Sequence, residues 1–144
     1  MTILDSEGLF SDDQVITTTA ASTNVIDKGA PQTPVRGAAP INVDWGKGRP
    51  VPVEIMVTAD FAGGTSIQVD LEVDDDVGFG TPNVVWSSEV IPLASLVQGY
   101  RFNVGHLPER TDERYARLNY VVVGTMSGGG AITAGIAGGL QTNR

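Results

Sequence analysis

Apolar and polar residues alternate along two neighbouring stretches in the middle of the chain. In residues 51–59 the aliphatic positions are 51, 53, 55 and 57, and in residues 66–74 they are 67, 69, 71 and 73. An alternation with a period of two is typical of a β-strand that buries one face. Because Gly63 and Gly64 lie between the two stretches, the pattern predicts that these strands form a β-hairpin.

Six further stretches have strand-like patterns, which gives eight candidate strands. They are residues 15–19, 23–27, 83–91, 100–104, 115–124 and 131–137. Residues 92–99 predict a single helical turn, with proline at its start and glycine beyond its end. The sequence therefore predicts an all-β fold, an antiparallel jelly-roll sandwich of about eight strands in a single domain over residues 1–144. An immunoglobulin-like sandwich is the competing fold.

The alternation also predicts which side chains point into the core. The expected inward residues of the later strands include Val84, Trp86, Val90, Tyr100, Phe102, Val104, Leu118 and Tyr120. By the same pattern Arg101 and Arg117 face outward, where a guanidinium can bind a partner's carboxylate through two hydrogen bonds. An ordinary surface ion pair within the chain is the alternative for both arginines.

Residues 29–52 differ from the rest of the chain, and we call them the arm. They contain five of the eight prolines, together with Arg36 and Trp45. Because proline has no backbone N–H, no central strand can contain this stretch. A loop of this length inside a compact domain is usually functional or disordered.

Four apolar residues lie in an N-terminal segment, residues 1–14, before the first predicted strand. They are Ile3, Leu4, Leu9 and Phe10. Large exposed apolar patches mark interaction sites, so these residues are candidates for contact with a partner. The alternative, to which we give equal weight, is that these residues pack against the edge of the core of the same domain.

The composition excludes several kinds of site and partner. The chain has 144 residues, no cysteine, one histidine and a net charge of −8. Disulfides, thiolate zinc clusters, cysteine nucleophiles and multi-histidine metal sites are therefore excluded. The chain has no basic surface for nucleic acid, no apolar run long enough for a membrane helix and no secretory signal at its start. We expect a cytosolic protein without a nucleic-acid or membrane partner.

Catalytic patterns are weak. His106 is the only imidazole, and no G-x-S-x-G motif accompanies it, so we expect neither enzymatic activity nor a cofactor. Five carboxylates cluster further upstream: Asp70, Glu72, Asp74, Asp75 and Asp76. The alternation explains Asp70 and Glu72 as the solvated face of a half-buried strand. A calcium site remains the other interpretation, because neighbouring carboxylates can supply its oxygen ligands.

Short segments of the chain occur in the order seen in a known family. They are Ile3-Leu4-Asp5, Leu9-Phe10-Ser11-Asp12, Ala21-Ser22-Thr23-Asn24-Val25-Ile26-Asp27, Phe61-Ala62-Gly63-Gly64-Thr65-Ser66, Ile91-Pro92-Leu93-Ala94, Gly99-Tyr100-Arg101-Phe102, Arg117-Leu118-Asn119-Tyr120 and Ile132-Thr133-Ala134-Gly135. In these segments the chain resembles the Bbp16-type capsid cement (decoration) proteins of tailed bacteriophages. Residues 30–50 depart from the family, since they are longer and richer in proline and glycine.

The resemblance implies a jelly-roll fold, homodimeric units and a structural role without catalysis. It implies binding to the outer surface of a phage capsid, which the protein stabilises by bridging neighbouring major capsid proteins. A virion protein of this kind is made in the host cytoplasm. The candidate partner contacts are Ile3, Leu4, Leu9, Phe10, Arg36, Trp45, Arg101 and Arg117. The alternative function is a carbohydrate-binding jelly roll, in which Trp45, Trp86 or Tyr100 stacks on a sugar ring.

Overall fold

The chain folds into short β-strands arranged in two sheets. The computed structural model describes residues 4–45, 48–109 and 111–138. This part of the chain contains nine strands and one short 3-10 helix. In chain order the strands are β1 (Leu4–Val15), β2 (Ala20–Ala21), β3 (Ile26–Asp27), β4 (Val53–Ala59), β5 (Ser66–Asp74), β6 (Asn83–Ser87), β7 (Ile91–Pro92), β8 (Tyr115–Val123) and β9 (Ala131–Ala137). The 3-10 helix, Leu93–Ser95, lies in the predicted helical turn.

Strands that are distant in sequence lie side by side in both sheets. The first sheet has the order β1-β9-β4 and the second has the order β2-β8-β5-β6, with β3 beside β8 and β7 beside β5. Residues 99–107 extend the first sheet beyond β4, because the N–H groups of Phe102 and Leu107 donate to the carbonyl oxygens of Ile55 and Val51. Each sheet then has four strand positions, and the chain moves between the sheets as in a jelly roll. The predicted fold class is confirmed.

The predicted inward residues of β4 and β5 form the centre of the core. Each is at most 1% exposed: Val53, Ile55 and Val57 from one sheet, and Ile67, Val69, Leu71 and Val73 from the other. Burying one aliphatic side chain of this size contributes about 1.5–3 kcal/mol, so these two faces are a main source of stability. β5 and β9 begin and end at the predicted residues.

β4 and β5 do not form the predicted hairpin. β4 pairs with β9, whereas β5 pairs with β6, β7 and β8, so the turn between β4 and β5 crosses from one sheet to the other. In that turn Gly63 and Gly64 have positive φ angles of 75° and 66°. A Cβ atom on Gly64 would lie 2.6 Å from the sulfur of Met126. The hairpin prediction was wrong because an alternating pattern identifies the buried face of a strand but not its neighbour.

The first strand begins earlier than predicted, since β1 contains most of the N-terminal segment. Its register against β9 shifts at three places, and Asp13 has a left-handed φ of 47°. Such β-bulges interrupt the period of two and hide a strand from a pattern search. The predicted strand 15–19 is wrong, because β1 ends at Val15 and the next strand is β2. Of the predicted strand 23–27, only the two residues of β3 form a strand.

β6 is shorter than predicted, and its faces differ from the prediction. The strand ends at Ser87, and Val84 and Val90 are 48% and 59% exposed. Its pairing with β5 skips Val85, and this bulge lets both Val85 and Trp86 pack against the core. The inward orientation was therefore correct for Trp86 and wrong for the two valines.

The predicted strand 100–104 lies beside β4 without forming a regular ladder. It contributes one isolated bridge, between Arg101 and Met56. Phe102 is 4% exposed, and Tyr100 and Val104 pack against the core, so the predicted inward face is confirmed.

A buried hydrogen bond connects the two sheets near their middle. The hydroxyl of Tyr120 on β8 lies 2.7 Å from the hydroxyl of Ser11 on β1. Ser11 donates its own proton to the side-chain oxygen of Gln14, also at 2.7 Å, so Tyr120 acts as the donor to Ser11. Burial raises the pKa of Tyr120 well above its ordinary value, which keeps the hydroxyl protonated.

We predict that Ser11→Ala destabilises the protein more than Tyr120→Phe does. Tyr120→Phe removes one hydrogen bond, with a cost of about 1 kcal/mol, and leaves Ser11 bonded to Gln14. Ser11→Ala leaves a buried hydroxyl without a partner, with a cost of about 1–3 kcal/mol. Denaturant unfolding measures both values. Wild-type stability in both variants, or the reverse order, would contradict this account of the contact between the sheets.

Candidate partner-binding surface

The described residues do not bring metal-ligating side chains together. His106 is exposed and is joined to Pro52 by a backbone bridge. Within residues 4–45, 48–109 and 111–138, no three histidine, aspartate or glutamate side chains are arranged to hold a metal ion.

The acidic stretch after β5 organises its own loop. Asp74 accepts hydrogen bonds from the N–H groups of Asp76 and Thr81 at 2.9 and 3.0 Å, and these bonds lower its pKa. Asp75 accepts one from the N–H of Arg114 at 3.0 Å. Glu72 is 6% exposed, so the prediction of a solvated face was wrong for this residue, whereas Asp70 is partly exposed. Asp74 is also buried, at 6% exposed.

Arg117 and Arg101 both form ion pairs within the chain. Arg117 pairs with the buried Glu72 at 2.7 Å, and its guanidinium lies 4.1 Å from the centre of the Phe79 ring. Arg101 pairs with Glu54 at 3.0 Å, and this carboxylate is also buried. Its other oxygen, Oε2, is buried without a hydrogen-bond partner. Both arginines therefore pair with carboxylates of their own sheets. This arrangement is the ion pair within the chain that was the predicted alternative to binding a partner's carboxylate.

The N-terminal contact residues lie in and around the core. Phe10 is fully buried, so its prediction as a partner contact was wrong. Leu4 and Leu9 are partly buried on β1, and Ile3 lies outside the described residues. The first strand is therefore an integral edge of the sandwich, because its side chain at position 10 belongs to the shared core.

The three aromatic residues considered for sugar stacking all contact the core. Trp45, Trp86 and Tyr100 are partly buried and pack against it. Tyr100 also makes an edge-to-face contact with Phe102, with ring centres 5.5 Å apart. Burial of part of each ring reduces the area that could stack on a sugar.

The arm projects from the sandwich as a hairpin. Gln32 and Ile41 pair through two backbone hydrogen bonds, and the N–H of Gly37 donates to the carbonyl oxygen of Pro34 at 2.8 Å. Every residue from 29 to 43 is exposed, and Val35 at the tip is 94% exposed. Arg36, beside it, is exposed and has a left-handed φ of 69°. We call residues 32–41 the arm hairpin and residues 34–37 the arm tip.

A buried threonine fixes the point at which the arm leaves the sandwich. Thr111 is 0% exposed, and its hydroxyl oxygen accepts the N–H of Trp45 at 2.8 Å. Its own N–H donates to the carboxylate of Asp44 at 2.9 Å. Lys28 holds the other side, because its ammonium donates to the carbonyl oxygen of Val43 at 3.2 Å and lies 5.0 Å from the centre of the Trp45 ring. Trp45 is thus an anchor at the arm base, whereas Val35 at the tip is exposed to solvent.

An ion pair completes the arm base. Arg114 donates two hydrogen bonds to the two carboxylate oxygens of Asp27, at 2.8 and 2.7 Å. These bonds, together with one from the N–H of Gly29, lower the pKa of Asp27 to about 2. Burial lowers the pKa of Lys28, although neighbouring carboxylates, chiefly Asp44, oppose that effect. Both legs of the arm are therefore tied to residues 111–114.

One family model matches most of the chain. The Bbp16 family model matches residues 10–136. The chain belongs to the Bbp16 family. The Bbp16 match starts within β1 and ends within β9, so it includes both sheets and the arm. No curated protein matches the chain. The described residues of this Bbp16 family member contain no helix that is long and apolar enough to span a membrane.

The anchor residues of the arm were missed by sequence reasoning. Thr111, Asp44 and Lys28 are separated by many positions and belong to no local motif. The only signal in the sequence was indirect: a large apolar residue, Trp45, occurs in a proline-rich stretch, where an exposed loop would favour polar residues. Contacts of this kind form only when the fold brings distant loops together.

We predict that Thr111→Val loosens the arm base. Valine matches the shape of threonine but leaves the N–H of Trp45 without its acceptor, with a cost of about 1–3 kcal/mol. Denaturant unfolding measures the loss, and a red shift of tryptophan emission reports increased exposure of Trp45. Thr18→Val is the matched control on an exposed residue. The account is contradicted if the two variants behave alike.

We also predict that the contact between Asp27 and Arg114 disappears in acid. The pKa of Asp27 falls from 3.8 to about 2 on folding, so the contact contributes fully above pH 3.8. That contribution is lost as the pH falls towards 2 and the carboxylate takes up a proton. The difference in unfolding free energy between wild type and Asp27→Asn should therefore shrink over this range. Arg114→Gln should reproduce the effect, and a constant difference would rule out this assignment.

Proposed function

We propose that the protein is a capsid decoration protein of a tailed bacteriophage. It binds the outer surface of the shell and stabilises it by bridging neighbouring major capsid proteins, and it acts in paired copies and without catalysis. Membership of the Bbp16 family supports a phage-related role. The sandwich supplies a body with a shared core from which the arm can reach a partner.

The arm is the observation that carries this proposal. Its exposed residues include Val35, Ile41 and Val43, which are 94%, 61% and 49% exposed and contribute little to the core. Exposed apolar residues grouped on one element mark an interaction site. Because Thr111 and Lys28 hold the arm base, the arm hairpin is positioned before binding and loses less conformational entropy when it docks.

Linkage explains how such a protein strengthens a shell. A ligand that binds only the assembled, expanded lattice stabilises that state by RT ln(1 + L/Kd) per site, where L is the free ligand concentration. A unit that touches two capsid subunits gains effective concentration for its second contact, so modest affinity at each contact is sufficient. Neither mechanism requires a pocket or a cofactor.

Purified protein added to expanded capsids that lack it tests the proposal. We expect saturable binding and a higher temperature of capsid disruption. Val35→Ser should weaken binding about tenfold, because it removes the apolar surface of one side chain from the contact. Val77→Ser is the matched control, since Val77 is 62% exposed on a loop elsewhere. A wild-type protein that neither binds nor stabilises the capsids would refute the proposal.

A further inference from the structure

The outer side of the second sheet carries a group of valines. Ile67 on β5 points into the core, so its neighbours Ser66 and Gln68 point outward. Val123 on β8 lies opposite Ser66 and shares its side of the sheet, where it is 53% exposed. Val121 lies opposite Gln68 in the same way and is half-buried. Two valines of β8 therefore lie on the side of the sheet that faces away from the core.

Two further valines lie on the other side of β5. β7 pairs with β5, and continuing its register by one residue places Val90 opposite Gln68. Val90 is 59% exposed. Val84 on β6 lies opposite the outward Glu72 and is 48% exposed. Exposed apolar side chains grouped on one side of a sheet mark an interaction site. We call this side of the sheet, at Val84, Val90, Val121 and Val123, the valine face.

The carboxylate of Asp70 lies among these valines. Asp70 follows Gln68 by two residues on β5, so it also points outward, and it is partly exposed. Its Oδ1 accepts a long hydrogen bond, 3.4 Å, from the side-chain amide of Gln68. Within the part of the chain that the structure describes, Asp70 takes part in no ion pair, whereas Arg117 neutralises the neighbouring Glu72. An apolar surface with an unneutralised carboxylate is complementary to an apolar surface that carries a lysine or an arginine.

The arm base and the end of the valine face are separated along β8. The strand begins at Tyr115, opposite Asp27 at the arm base, and ends at Val123. These two ends are eight residues apart, which corresponds to about 26 Å at the rise of a β-strand. A protein that bridges two capsid subunits needs two separated contact surfaces, and the arm supplies one of them. The valine face lies far enough from the arm base to supply the other.

We infer that the valine face is a second docking surface for the major capsid protein, and that its occupant is an apolar patch that carries a basic side chain. The valines bury apolar surface against that patch, and Asp70 accepts charge-assisted hydrogen bonds from the basic group. The inference rests on the proposed function and adds the second contact that bridging requires. Val35 at the arm tip belongs to the first contact.

Single cysteines can report which surfaces the capsid covers, because the chain has no cysteine of its own. Val123→Cys reports on the valine face, and Val35→Cys reports on the arm tip. Val15→Cys is the matched control, since Val15 is also the last residue of its strand and is 61% exposed on the first sheet. When these proteins bind expanded capsids that lack the wild-type chain, we expect alkylation by a maleimide to be lost at positions 123 and 35 and unchanged at position 15.

Charge variants test the chemistry of the partner. Val123→Arg should weaken capsid binding by about tenfold or more, because it places a cation against the basic group of the partner. Val15→Arg changes the net charge equally and should bind as wild type does. Asp70→Asn keeps the shape of the side chain but removes its charge, so capsid binding should depend less on salt concentration than it does for wild type.

The outcomes separate this inference from the proposed function. Protein that binds capsids while position 123 is alkylated as fast as in the free chain refutes docking by the valine face and retains the proposed function. Equal effects of Val123→Arg and Val15→Arg would do the same. Slow alkylation at position 123 in the free protein that recovers on dilution would assign the face to a second copy, and would also overturn the inference. Protein that does not bind capsids refutes both.

Discussion

Each sheet of the sandwich has one apolar face, and the burial of these faces against each other is the constraint on which the rest of the structure depends. The inward residues of β4 and β5 meet in the middle, and the bond between Ser11 and Tyr120 joins the sheets at a fixed position. Outward carboxylates on both sheets, Glu54 and Glu72, are neutralised by arginines from adjacent segments. Segments that cannot pair with a neighbouring β-strand lie outside the two sheets, and the longest of them is the proline-rich arm.

The arm is outside the core but is not independent of it. Thr111 is fully buried and binds the backbone at Trp45, so the direction of the arm is set by the body of the protein. An element that is exposed over residues 29–43 and fixed at its base suits a protein that contacts partners. This combination supports the proposed decoration role more directly than any single surface residue does.

Much of the fold could be predicted from the sequence, because period-two burial is a local property. The bounds of β5 and β9 and the inward residues of β8 follow from it. Proline content, a second local property, identified residues 29–52 as a stretch without a central strand. The pairing of strands could not be predicted, since neighbours in a jelly roll are distant in sequence. β1 was missed because bulges interrupt its alternation, and Phe10 was consequently assigned to the surface.

The candidate site was predicted only in outline. Proline content identified the arm, but the functions of Trp45, Arg101 and Arg117 depend on partners that the sequence does not bring together. The central claim is that the protein bridges capsid subunits from outside. A cryo-electron map of the particle tests it most directly. The account predicts density for the sandwich on the outer surface, over a junction between major capsid proteins, with the arm in contact with a neighbour. Its absence from the outer surface, or its attachment to a single capsid subunit, would contradict the account.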